Sequence, residues 1–328
     1  MPPPSSREFR SDRKGSGSAC HFGTCPASLP AYSSAVAEAP VQIKPSYAAV
    51  QDHARQFSDF TFVYPVISRR SGGLSIGINL NPDKVCNFDC IYCEVDRKIP
   101  GKVSNVDLNQ MRDELAAMIH FARDGGLAKE PKFSELPPFL TRNIKDIAFS
   151  GDGEPTMIAN FAECVQAVAD VKRSEGLDRT KIVLITDAAG LDKADVRRGL
   201  DVMDANNGEV WGKLDAGTEG YFHLINRTTV RFDRILHNLL LTARARPIII
   251  QSLFMKVRGE PMPPAELAAY CDRLSELKRD GAQIKEVHAY TIARPTPEPY
   301  VTKLTRGELE AMAEVIRSRT GLAVVAFE

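Results

Sequence analysis

The chain has 328 residues, enough to bury a full core as one α/β barrel-sized domain or as two smaller ones. Lys plus Arg total 42 and Asp plus Glu total 42, so no global charge draws the protein onto nucleic acid or a membrane surface. No apolar run approaches bilayer-spanning length, no secretory h-region opens the chain, and seven cysteines, three of them clustered, argue against a disulfide framework; a reduced, cytoplasmic protein is expected.

Residues 1–45 are rich in Pro, Ser, Gly and Ala and are expected to form a disordered tail, leaving 46–328 for the folded domain. Cys20, His21 and Cys25 lie in that tail, either as half of a second metal site or as stray thiols; the second reading is preferred because the set is incomplete. From residue 74 the pattern becomes regular. Short β-rich apolar runs fall at 74–80, 146–150, 181–186, 209–214, 247–255, 284–292 and 322–327. Helical periodicity occupies 109–122, with Met111, Leu115 and Met118 on one face, then 161–172, 194–203, 232–245 and 265–278. A last helix opens at Thr305 with Glu308 three residues on, a capping box, and carries Leu309, Met312, Ala313 and Ile316 as its apolar stripe. Strand and helix alternate, which predicts an α/β fold of mostly parallel strands with right-handed crossovers, a complete or partial (β/α) barrel. In such barrels the active residues occupy loops at the carboxyl ends of strands.

The loop after the first of these runs reads Cys86-Asn87-Phe88-Asp89-Cys90-Ile91-Tyr92-Cys93. Iron–sulfur clusters and zinc both take cysteine thiolates, normally four donors to each zinc or cubane. Three thiolates leave one position open, and an open position is what a catalytic site keeps. A zinc site could recruit Cys164, Cys271 or a histidine, but both of those cysteines sit within helical apolar patterns and read as ordinary buried thiols.

Cys-x3-Cys-x-aromatic-Cys after the first strand of an α/β barrel resembles the radical S-adenosylmethionine (SAM) superfamily. The resemblance implies a [4Fe-4S] cluster on Cys86, Cys90 and Cys93, with the open iron chelated by SAM, and one-electron cleavage of the sulfonium to a 5′-deoxyadenosyl radical. It places Tyr92 near the adenine; packing on the core is the plainer reading. Gly151-Asp152-Gly153-Glu154-Pro155, after the second strand, is similar to the superfamily's Gly-Gly-Glu-Pro element, which binds the SAM amino group. Thr186-Asp187-Ala188 stands where many members have Thr-Asn-Gly, leaving Thr186 a contact by resemblance. Lys213 and Asp215 end the fourth strand, and either meet the SAM ribose and carboxylate or form an ion pair. A reductant of the flavodoxin or ferredoxin kind is implied.

The block Tyr64 to Arg70, Gly77-Ile78-Asn79-Leu80, Asn226-Arg227 and His288 to Pro295 look like the group related to the wyosine tRNA-modifying synthase, over residues 50–328. Arg69, Arg70 and Arg294 either converge on an anion or pair at the surface. Of Gln251 and Ser252, polar within an apolar strand, one is expected to point into the barrel. Trp211 and the histidines show no cluster. A radical SAM enzyme is expected. Its substrate is left open between small molecule, RNA (a wyosine-type tRNA base included) and a glycyl-radical protein partner, and a non-enzymatic iron–sulfur or zinc module is the competing class.

Overall fold

The computed structural model describes residues 43–328 apart from 45, 53, 100, 102–104 and 295. The tail with Cys20 and Cys25, and Pro295 of the late motif, lie outside the described residues.

A short helix α1 (Ala48–Gln51) precedes β1 (Val63–Ser68) and β2 (Gly73–Ile78). Then follow α2 (Leu108–Arg123), α3 (Pro138–Arg142), β3 (Ile144–Phe149), α4 (Phe161–Ser174), β4 (Lys181–Thr186), α5 (Ala194–Asp204) and β5 (Gly208–Lys213). The second half runs α6 (Glu219–Asn226), α7 (Phe232–Ala245), β6 (Ile248–Leu253), β7 (Met255–Val257), α8 (Pro264–Arg279), β8 (Ile284–Tyr290), β9 (Val301–Lys303), α9 (Arg306–Thr320) and β10 (Val324–Phe327). Eight strands form one sheet in the order β1-β2-β3-β4-β5-β6-β8-β10. All neighbours are parallel except β1 and β2. The sheet is curled so that Val66 on β1 and Phe327 on β10 line the same cavity, yet these two edge strands do not pair, and the barrel is partial.

The central strands are buried along nearly their whole length, as parallel strands covered on both faces must be; all six residues of β2 are buried. Met111, Leu115 and Met118 on α2 are fully buried, in line with their periodicity. The Thr305–Glu308 capping box forms, and α9 ends at Gly321 in the left-handed conformation.

Strict alternation did not anticipate β1. This antiparallel strand carries Pro65, and a proline that cannot donate to a ladder is tolerated on a sheet edge. Its position is fixed by Glu114 on α2, whose buried carboxylate accepts from the backbone N–H groups of Thr61, Phe62 and Val63 at 2.8, 2.7 and 3.1 Å. The run 247–255 divides at Phe254, where β6 leaves the main sheet and Met255 begins β7, paired with β9. No helix among the described residues is long and apolar enough to cross a membrane.

Candidate cofactor site

A cavity of about 290 Å³ fills the inside of the half-barrel, and Cys86, Cys90 and Cys93 all line it. The loop that carries them leaves β2 and is pinned from two sides. On one side lies the end of α6. Asp89 N–H donates to Asn226 O at 3.0 Å, Ile91 N–H to Ile225 O at 2.9 Å, and Thr228 Oγ1 to Asn87 O at 2.8 Å. The Asn226 Nδ2 group donates to Cys90 Sγ at 3.3 Å and to the Tyr92 hydroxyl at 3.2 Å. On the other side lies the glycine loop after β3, where Glu154 N–H donates to Val85 O at 3.2 Å. Arg97 spans the two loops, donating to Cys93 Sγ at 2.9 Å and to Asp152 O at 3.1 Å.

Glycine is required in this second loop by contact. A Cβ on Gly153 would lie 1.9 Å from Val85 O, and one on Gly151 2.3 Å from Asn79 Oδ1. Asp152 does not line the cavity; it accepts from Arg55 Nη1, which does, at 3.1 Å and from Asn79 Nδ2 at 2.7 Å. Glu154 lines the cavity but spends its carboxylate internally. One oxygen accepts from Thr156 N–H at 3.1 Å and from the Thr156 and Thr186 hydroxyls, both at 2.6 Å; the other accepts from Asp187 N–H at 2.8 Å. It therefore ties the glycine loop to the end of β4. Pro155, buried, opens the short turn Pro155–Met157 that Glu154 caps.

Tyr92, Lys213 and Asp215 form one group. The Tyr92 hydroxyl donates to Asp215 and accepts from Lys213 Nζ at 2.6 Å, and Lys213 sits 4.3 Å from the Tyr92 ring centroid. Lys213 and Asp215 pair at 3.4 Å, and Asp215 also accepts from Leu253 N–H at 2.8 Å. Burial disfavours the Lys213 ammonium, but Asp215, Tyr290 and the nearby cysteines together outweigh it and its pKa is raised. Gly151, Gly153, Glu154, Thr186, Lys213 and Tyr92 thus face the cavity, whereas Asp152, Pro155 and Asp215 stand behind it. Asp187 also lines it. Burial first, then neighbouring Glu154, push its carboxyl well above the usual range, and Oδ2 has no hydrogen-bond partner.

Burial raises the Cys86 thiol, with Asp187 adding to the effect, and pushes Cys90 up to about 11 against the pull of Lys213 and Asn226. Such thiols hold their protons at neutral pH until a metal displaces them. Among the described residues no three His, Cys, Asp or Glu side chains converge on a single-ion site. Three thiols of one loop, facing one cavity with Arg97 and Asn226 donating to two of the sulfurs, fit a cysteine-held iron–sulfur group.

Sequence reasoning did not single out Arg97 or Arg55, which act across the fold and belong to no quoted motif, and it gave Asn79, inside the Gly77–Leu80 block, no role at the site. Trp211, given no chemistry from sequence, lines the cavity. Gln251 is the one of its pair that faces inward, fully buried with both amide atoms unpartnered, while Ser252 bonds Leu214 O and the Tyr270 hydroxyl, both at 2.6 Å, on the other face. Cys164 and Cys271 are buried helix thiols.

Fold and site together define a mostly parallel (β/α) half-barrel with a three-thiol loop and a glycine loop at the carboxyl ends of successive strands, the arrangement the motif resemblance implied. No family model matches the chain. It is 28% identical over 178 residues to the GTPase Obg of Brachyspira hyodysenteriae, covering 54% of this chain and 22% of that protein. It is 29% identical over 178 residues to a UPF0026 protein of Methanocaldococcus jannaschii, covering 54% and 47%. The chain thus matches less than half the length of either protein. Similar solved structures include TYW1 with a lysine-pyruvate adduct bound, at 17% identity and TM-score 0.47, covering 74% of this chain and 73% of that one. SuiB of Streptococcus suis bound to S-adenosylmethionine matches at 12% identity and TM-score 0.46, covering 79% and 48%.

Proposed function

We propose that the chain is a radical SAM enzyme, with a [4Fe-4S] cluster on Cys86, Cys90 and Cys93 and SAM on the iron that the protein leaves open. The observation that carries this reading is the convergence of the three thiols and the Gly151–Gly153 backbone on one cavity at the carboxyl ends of parallel strands. When bound, the cluster supplies one electron, drawn from a ferredoxin- or flavodoxin-type donor, to cleave SAM into methionine and a 5′-deoxyadenosyl radical that takes hydrogen from a substrate.

The chain's own residues bind, orient and keep the site dry. Without side chains, Gly151 and Gly153 let the loop pack against Asn79 and Val85, which holds its backbone at the cavity wall where a ligand's amino group would meet it. Lys213 presents a cation to a carboxylate or ribose, and Asp215, through Tyr92, holds that cation in place. Ala148, Val183, Trp211 and Ile249, with Ile185 against them, form an apolar wall inside the barrel that limits water around a reactive species. A cytoplasmic setting is part of the proposal.

The test is anaerobic reconstitution with iron and sulfide, reduction by dithionite, and assay of SAM cleavage. Methionine and 5′-deoxyadenosine are expected; production of neither would refute the reading in favour of a non-enzymatic metal module. Cys90→Ala should abolish cluster absorbance and Cys20→Ala should preserve it. Equal loss in both would overturn the single-cluster assignment.

A further inference from the structure

Most cations lining the cavity are spoken for. Arg55 pairs with Asp152, Arg97 with Cys93, Lys213 with Asp215, and one arm of Arg294 with Glu94. Arg69 and Arg70, in the turn leaving edge strand β1, also line the cavity, and among the described residues no carboxylate pairs with either. Arg70 instead lies over two aromatic rings, 5.4 Å from the Trp211 centroid and 5.0 Å from that of Tyr290. Those rings belong to β5 and β8, and β6, which lies between them in the sheet, carries Gln251. Gln251 is fully buried, lines the same cavity and has neither amide atom bonded. Arg294 adds a buried Nε–H without an acceptor.

Three guanidinium groups gathered around a single paired carboxylate, Glu94, are a cost the fold does not recover by itself. The nearby acids do not remove it. Glu94 is committed to Arg294. Asp146 accepts a hydrogen bond from the Ser75 hydroxyl and feels the Arg70 charge without forming an ion pair with it. Glu94 and Glu328 both act on Arg69, but neither forms an ion pair with it. Burial, followed by the repulsion of Arg70 and Arg294, pushes Arg69 down to about 10. An oxyanion accepting from guanidinium forks would relieve this crowding. An unpaired primary amide beside it would both donate to and accept from a neighbouring polar group.

We infer that Arg69, Arg70 and Arg294 form an oxyanion subsite of the substrate pocket, and that Gln251 reads an adjacent donor–acceptor edge of the same molecule. The inference rests on the radical SAM reading for its claim that the oxyanion belongs to the substrate. The shared chemistry is a phosphate or carboxylate group on that substrate.

Trp211 is the only tryptophan in the chain and touches Arg70, so it reports directly on the subsite. The full chain, before and after cluster reconstitution, is titrated with inorganic phosphate and with malonate at constant ionic strength, and Trp211 emission is followed. Equilibrium dialysis with labelled phosphate or malonate gives a second readout, and far-UV circular dichroism checks each variant's fold. A saturable response to either anion is expected, the stronger one identifying phosphate or carboxylate, and Arg69→Gln should weaken it at least tenfold by dialysis. No saturable binding of either anion, or equal binding by wild type and the folded Arg69→Gln variant, would overturn the subsite. Loss of anion binding on saturation with SAM would also overturn it, by assigning these cations to SAM's own carboxylate. SAM cleavage without anion binding defeats this inference alone, whereas anion binding without SAM cleavage defeats the radical reading and with it the substrate assignment.

Discussion

Glu154 offers a direct test of whether the glycine loop's acid is a clamp or a ligand group. Its carboxylate is 3% exposed and accepts four hydrogen bonds, three on one oxygen and one on the other. In Glu154→Gln the amide oxygen can keep the three donors, but the NH₂ then faces the Asp187 N–H, donor against donor. Losing one bond to a charged acceptor costs about 1.5–3 kcal/mol, and stranding the buried N–H adds about 1–3 kcal/mol. Relief from burying a charge offsets part of this, leaving a net loss of roughly 2 kcal/mol. For a chain of this size that corresponds to a fall in Tm of about 3 °C. Differential scanning calorimetry without ligands measures it, beside titration with SAM. If Tm stays within about 1 °C of wild type while SAM affinity falls tenfold, the carboxylate is a ligand group and the clamp is refuted.

Gly153→Ala should push the cysteine loop away through the Val85 carbonyl, halving the iron retained after reconstitution with far-UV circular dichroism unchanged; Gly220→Ala, whose Cβ meets nothing within 4 Å, is the control and should retain full iron. Arg97→Leu removes a cationic donor from Cys93 Sγ, and since such bonds favour the extra electron, the cluster's reduction potential should fall; a redox titration followed by electron paramagnetic resonance that shows no change refutes that role. Burial alone would raise Glu209, but Lys285, Trp211 and Lys181 outweigh it and lower its pKa. A lowered carboxylate pKa stabilises the fold above the unfolded value of about 4.3 and stops doing so as pH falls through the folded value. Because both lysines are about half exposed, Glu209→Gln should cost only about 1 kcal/mol at pH 7, and its Tm should converge on wild type as pH falls through the lowered folded value; a gap independent of pH refutes the ion-pair account.

Much of the frame was legible because it depends on local pattern. Apolar runs located the parallel strands and periodicity located the long helices. The capping box opened the last helix where Thr305 and Glu308 predicted. The antiparallel β1 was not legible, since its pairing is set by Glu114, roughly fifty residues away along the chain. The division at Phe254 was hidden because strand propensity does not reveal which sheet a residue joins.

Taken alone, the sequence determined the three-thiol loop, the glycine loop and their place after successive strands, because spacing within a loop is a covalent property. Only the tertiary structure decided how the polar residues divide their work. It turned Gln251 into the cavity and Ser252 away from it, joined Lys213 to Asp215 through Tyr92, spent Glu154 on the β4 end, and left Arg69 and Arg70 without carboxylates among the described residues. Charge compensation and hydrogen-bond satisfaction are settled between strands that meet only when the sheet curls, so no single stretch of chain records them.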